Sequence, residues 1–175
     1  MMRIKATIAT LLALAPGVLH AAEPVCISPR EFSSLAAYAL PSVITGTGKR
    51  CATQLGPDAY LRTNGAALAS KYATRKAANW PGAKSAFLKM GAKDATANQL
   101  FASLPDESLR QIVDPLLEGM VIQEIPIEKC TTIDSVVRLL APLPPENTAE
   151  LIALTAGLVG RGTDAKVGQF KLCET

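Results

Sequence analysis

Four cysteines placed behind an apolar leader constrain this chain more than any other feature. Cys26, Cys51, Cys130 and Cys173 are even in number and no two form a C-x-x-C pair, so neither a zinc knuckle nor a thioredoxin-like redox motif fits. Ahead of them, Arg3 and Lys5 precede an uncharged apolar run from Ala6 to Leu19, and Leu19-His20-Ala21-Ala22 offers small residues just before the first acid, Glu23. This is the layout of a secretory signal peptide, expected to span 1–22 and to be cleaved after Ala21 or Ala22. A membrane-spanning helix needs about 20 apolar residues, and Pro16-Gly17 interrupts this shorter stretch. Pro24-Val25 stands where a small residue would precede a lipidated Cys26. The expected product is a soluble protein exported to the periplasm or the extracellular space, with its cysteines in structural disulfides.

Of the three pairings four cysteines allow, Cys26 with Cys51 and Cys130 with Cys173 each close one local segment and are preferred here. Loops of those lengths would each contribute roughly 3 to 4 kcal/mol on the chain-entropy model.

Cleavage also changes the chemistry the chain can perform. His20 is the only histidine and leaves with the leader. The remainder lacks the one side chain that ordinarily titrates near neutral pH. Serine-histidine and cysteine-histidine triads and histidine-ligated metal sites are excluded within one chain, and no cofactor or metal is expected. The 18 Lys+Arg and 15 Asp+Glu of the whole chain become 16 and 15 once Arg3 and Lys5 are removed, a net charge of +1. A nucleic-acid partner would require a strongly basic domain and is not expected.

The charge is unevenly placed. Residues 23–93 carry ten cations and three acids, a net +7, while residues 94–175 carry six cations and twelve acids, a net −6. The readings are that the halves pack together and face each other's charges, that the cations simply solvate helix surfaces, or that Lys71, Arg75, Lys76, Lys84 and Lys89 present a basic surface to an anionic membrane, a wall polymer or an acidic protein.

Hydrophobic spacing predicts an all-α fold, a compact domain of about six to seven helices over 23–175 with two disulfides. Ser28-Pro29-Arg30-Glu31 is a capping box with proline at the first helical position. Phe32, Leu35, Ala36, Ala39 and Leu40 follow on one face until Pro41, expected to stop the helix ahead of a Gly46-Thr47-Gly48 turn. A long alanine-rich helix is predicted from Asp58 to just before Trp80-Pro81, with Leu61, Gly65, Leu68 and Tyr72 in one stripe and a close helix crossing at Gly65. Shorter helices are predicted at Gly82–Met90 and Ala95–Leu104, the second with Ala97, Leu100, Phe101 and Leu104 on one face. Leu104-Pro105-Asp106 opens a helix bearing Leu109, Ile112, Val113, Leu116, Leu117 and Met120, kinked at Pro115. Ile133, Val136, Val137 and Leu140 form a further stripe, and a largely apolar helix from about Pro145 to Val159 is expected near the centre of the core. No segment alternates as a strand should.

No catalytic residue is assigned. Asp106-Glu107-Ser108 contains the Glu-Ser pair found in lytic transglycosylases, but acids after a proline are what a helix start prefers. Ser85 and Lys89 lie one turn apart and would need burial to act as a Ser-Lys pair. Glu146 and Glu150 share a helical face as paired carboxylates, while Asn147 and Glu150 also read as a helix cap. Trp80, Tyr60 and Tyr72 could stack on a ligand or simply fill the core. The leading expectation is a non-catalytic envelope binding or inhibitory protein of the immunity type, partnered by an envelope protein. The alternatives are an envelope scaffold with a self-complementary face on Leu116, Met120 or the last helix, and a hydrolase using carboxylate or Ser-Lys chemistry.

Overall fold

The computed structural model describes residues 26–91, 94–161, 166–167 and 170–173, so the expected signal peptide lies outside it. Among the described residues the fold is built from seven α-helices, as the sequence predicts.

Helix α1 (Pro29–Cys51) starts on the expected capping box: the Ser28 hydroxyl accepts from the Glu31 N–H, and the Glu31 carboxylate accepts from the Ser28 N–H at 2.9 Å. It does not stop at Pro41. Proline inside a helix removes one backbone bond and costs about 3 kcal/mol in isolation. Here Pro41 is itself buried, and α1 is packed on four sides, so tertiary packing outweighs the local break. The expected turn at Gly46-Thr47-Gly48 is likewise helical. Gly46 serves another purpose: a Cβ there would lie 3.0 Å from the Glu118 carbonyl oxygen and 3.3 Å from the Val121 Cβ, which identifies it as the crossing point with α5 (Asp106–Glu124).

Helix α2 (Tyr60–Ala73) buries Leu61, Gly65, Leu68 and Tyr72, the predicted stripe, but it ends earlier than expected. The chain turns at Thr74–Arg75, and α3 (Lys76–Met90) continues straight over Trp80-Pro81. Pro81 forgoes a single backbone bond near the start of α3, and Trp80, 2% exposed, anchors that turn in the core. The close crossing expected at Gly65 is absent, since a Cβ there meets only Leu61 of its own helix, at 3.8 Å or more. It occurs instead at Gly82, where a Cβ would come within 2.6 Å of Ser34 on α1.

Helix α4 (Ala95–Ser103) is capped by Asp94, whose carboxylate accepts from the Ala97 N–H, and α5 begins after Pro105 as predicted. A 3-10 turn (Ile127–Lys129) leads into α6 (Cys130–Leu140), and α7 (Pro145–Arg161) follows. Two short strands unforeseen in the sequence, β1 (Lys166–Val167) and β2 (Phe170–Lys171), pair antiparallel with Val167 opposite Phe170, and Leu172 bridges to Ile27.

The central element is α1, not α7 as expected. It packs against α2, α3, α5 and α7, while Leu151 and Leu154 of α7 are 41% and 59% exposed. One core cluster gathers Leu40, Ile44, Leu61, Leu68, Tyr72 and Ala149 between α1, α2 and α7. A second gathers Tyr38, Trp80, Ala83, Leu109 and Val113 between α1, α3 and α5.

Both disulfides form, but the preferred pairing is wrong: the bridges are Cys51–Cys130 and Cys26–Cys173. The unbroken α1 explains this. Its 23 residues make a rod about 35 Å long that holds Cys26 and Cys51 at opposite ends, far beyond the roughly 7 Å Cα separation a disulfide tolerates. Cys51 instead meets Cys130 at the start of α6, both fully buried, and Cys26 meets Cys173 beside the Ile27–Leu172 bridge.

Candidate functional site

The five cations singled out in the sequence all contact groups of the protein itself. Lys71 donates to the Ala141 and Leu143 carbonyl oxygens at 2.9 and 3.1 Å, where unpaired carbonyls at the end of α6 favour a cation. Arg75 pairs with Glu146. Lys76 pairs with Asp114 at 2.6 Å and lies over the Tyr38 ring, 4.5 Å from its centroid. Lys84 pairs with Asp106 and Lys89 with Glu31, each at 2.7 Å. With Lys49–Glu118, four of the five ion pairs among the described residues join the basic half of the sequence to the acidic half. Arg50 and Arg62 donate to backbone carbonyls near the end of α1 and in the α5–α6 connection. Arg30 alone among the described cations of residues 23–93 has no partner among the described residues.

The carboxylate of Glu31 collects donors from three places: Lys89, the Ser85 hydroxyl at 2.6 Å, and both the hydroxyl and the N–H of Ser28. Burial opposes its ionisation, but the bonds from Lys89, Ser85 and Ser28 prevail and hold its pKa down at about 2. Ser85 and Lys89 thus share an acceptor and tie α3 to the start of α1. Asp106, bonded by Lys84, has its pKa lowered at the exposed start of α5.

The aromatic residues divide. Trp80 and Tyr72 are core residues, Tyr72 bonded through its hydroxyl to Thr148 at 3.1 Å, while Tyr60 is half-buried at the edge of a polar pocket of about 270 Å³ with Asp58, Asp134 and Arg138. Sequence reasoning missed Asp134, which caps α2 from a different helix by accepting from the Tyr60 and Leu61 N–H groups at 3.2 and 2.7 Å. The signal was Ala59, a residue with no capping oxygen at a helix start.

Among the described residues, two features stand open to an outside partner. The first is the outer face of α5. Leu109 and Val113 point into the core, and Ile112, Leu116 and Met120, each four residues apart, point out at 42%, 46% and 48% exposure. Gly119 lies open beside them, Gln111 and Gln123 are exposed neighbours, and no charged side chain interrupts the row between Gln111 and Met120 on that side. The second is a groove of about 340 Å³ between the first turns of α1 and the first half of α7, lined also by Asn79 of α3. Glu146 and Glu150 line it together with Arg30.

No helix among the described residues is long and apolar enough to cross a membrane. No protein-family model matches the chain, and no curated protein or solved structure matches it significantly.

Proposed function

We propose that this chain is an exported, non-catalytic binding protein that docks an envelope protein through the outer face of α5. The observation that carries this reading is the row Ile112, Leu116 and Met120. Apolar side chains held in register on a rigid helix and left in water are what a protein partner covers, and a few such anchors dominate binding energy. The face offers apolar contact without charge, which matches an apolar face on a folded partner. An anionic polymer or lipid headgroup would instead draw on cations, and those of α2 and α3 contact internal acids and carbonyls. The immunity-type inhibitor remains the form of this proposal that best suits a small disulfide-bonded chain.

The test is capture from an envelope extract with the disulfide-bonded protein carrying a photo-crosslinker at position 116, beside a Leu116→Glu/Met120→Glu variant. One envelope protein crosslinked at 116, held at high salt and lost from a variant with unchanged melting temperature, supports the proposal. Equal capture by the variant, or capture of wall polymer or lipid only at low salt, overturns it. The same face also supports a scaffold reading. A dimer in sedimentation equilibrium that the variant abolishes would replace the inhibitor with self-assembly.

A further inference from the structure

The α1–α7 groove shares no residue with the face on α5 and has its own chemistry. Its lining includes small side chains from two helices, Ser33 and Ala37 of α1 and Ala149 and Ala153 of α7, which leave room between them. At about 340 Å³ it falls at the small end of ligand-binding cavities, about 300 to 1,000 Å³.

The charges at its edges are unlike in kind and in commitment. Glu146 is tied to Arg75. Glu150 has no partner among the described residues, and neither has Arg30 on the opposite helix, though both line the groove. With Glu146 committed, one free carboxylate remains, an arrangement suited to holding a cation and not to two-carboxylate acid–base chemistry. Asn79, which also lines the groove, donates its Nδ2 to the Arg75 carbonyl oxygen at 3.0 Å, which leaves its Oδ1 as a further acceptor. Leu154, 59% exposed, adds an apolar surface at the rim.

We propose that this groove binds a short zwitterionic peptide, of dipeptide size, with free amino and carboxyl ends. The ammonium is held by Glu150 and Asn79 Oδ1. The carboxylate is held by the Arg30 guanidinium, whose planar fork accommodates both of its oxygens. A small apolar side chain lies over Ala153 and Leu154. The two unpaired charges on facing helices account for both ends of the ligand, and the small-residue lining limits its body.

The experiment is a titration of the disulfide-bonded protein with the dipeptide Ala-Leu, followed by 1H–15N NMR, beside N-acetyl-Ala-Leu and Ala-Leu-amide. The expected result is saturable shifts confined to amides of the first turns of α1, to Asn79 and to the first half of α7. Blocking either end should weaken binding at least tenfold. Glu150→Gln and Arg30→Gln, both at exposed positions, should each do the same without changing the melting temperature, and Ala153→Phe should abolish binding by filling the groove. No saturable shift at millimolar dipeptide overturns the proposal, as does equal binding of the blocked peptides or unchanged binding by the Glu150→Gln variant. Sensitivity to the blocked amine alone removes the role of Arg30 and with it the zwitterion assignment.

Discussion

The two core clusters that meet along α1 are built by different means. Between α1, α2 and α7 the contacts are mainly aliphatic, Leu40, Ile44, Leu61 and Leu68 with Tyr72 among them, and the buried Cys51–Cys130 bridge fastens this side covalently. Between α1, α3 and α5 the core is aromatic. The Tyr38 and Trp80 rings lie 5.1 Å apart, and Arg110 lies over Trp80. Ion pairs border this second side, with Lys76–Asp114 and Lys84–Asp106 linking α3 to α5 and Lys89–Glu31 linking α3 to α1. Burial, with Asp114 beside it, pushes the Tyr38 hydroxyl's pKa up, so it stays neutral in the core. One side is therefore sensitive to reductant and the other to acid, although both share the same central helix.

The largest expected effect falls on the covalent side. Cys51→Ala with Cys130→Ala opens a loop defined by a sequence separation of 79 residues, and the chain-entropy model gives a loss of about 4.5 kcal/mol. Equilibrium unfolding in guanidinium chloride measures it. A loss under about 1 kcal/mol, at the low end of what disulfides contribute, would mean that the aliphatic contacts suffice and the contrast between the two sides is false.

On the aromatic side the tightest fit is Gly82 against Ser34. Gly82→Ala brings a Cβ to 2.5 Å from the Ser34 Oγ and 2.6 Å from its Cβ, an overpacking expected to cost about 1 to 3 kcal/mol. Because the Cβ is also in the way, Ser34→Ala should not relieve the strain, whereas Ser34→Gly should. Thermal unfolding of the two double variants distinguishes a steric crossing from a lost hydroxyl contact.

How much of this was legible in the sequence follows the same division. The capping box at Ser28, the α2 stripe, the α5 start after Pro105 and the engagement of all four cysteines were readable because each is a local pattern. The misreadings came where distant contacts overrule local preference. Pro41 and Pro81 look like helix stops, but packing from neighbouring helices carries α1 and α3 through them. That one error also displaced the disulfides, since a broken α1 would have let Cys51 fold back toward Cys26. Spacing placed Leu109 and Leu116 on one broad stripe, yet it could not reveal that α5 buries one edge and exposes the other, because apolar periodicity is blind to which neighbour is present. The groove was visible only as Glu146 and Glu150 one turn apart. Its other wall, with Arg30, Ser33 and Ala37, comes from a helix more than a hundred residues earlier.

Acid should find the second side first. Glu31 ionises at about 2 in the folded protein against 4.5 ordinarily, so its contribution is complete above pH 4.5 and is lost as pH falls toward 2. The full shift would correspond to about 3 kcal/mol, reduced to roughly 1 to 2 kcal/mol by solvent at this partly exposed position. Glu31→Gln should lower stability at pH 7 and flatten its dependence between pH 4.5 and 2, as read by urea unfolding. An unchanged slope would show that Ser28, Ser85 and Lys89 hold the side chain without stabilising its charge.

The smallest effect concerns the pairs that join the basic and acidic halves of the chain. Lys49 and Glu118 connect α1 to α5 beside the Gly46 crossing, with Lys49 61% exposed and Glu118 25%. A double-mutant cycle with neutral replacements should give a coupling of about 0.2 to 1 kcal/mol, and it should shrink in 1 M salt, where screening acts within about 3 Å. Four such contacts cannot hold the halves together against the conformational entropy of the chain. Burial around Trp80, Leu109 and Val113 does that. The charges instead favour the arrangement in which the cations of α1 and α3 face the acids of α5 and α7 over one in which like charges face each other. Exchanging the pair, Lys49→Glu with Glu118→Lys, should therefore restore most of what either single reversal loses. If the exchange fails to restore it, the pair depends on its backbone surroundings and not on its sign, and charge would have no part in distinguishing the two sides of α1.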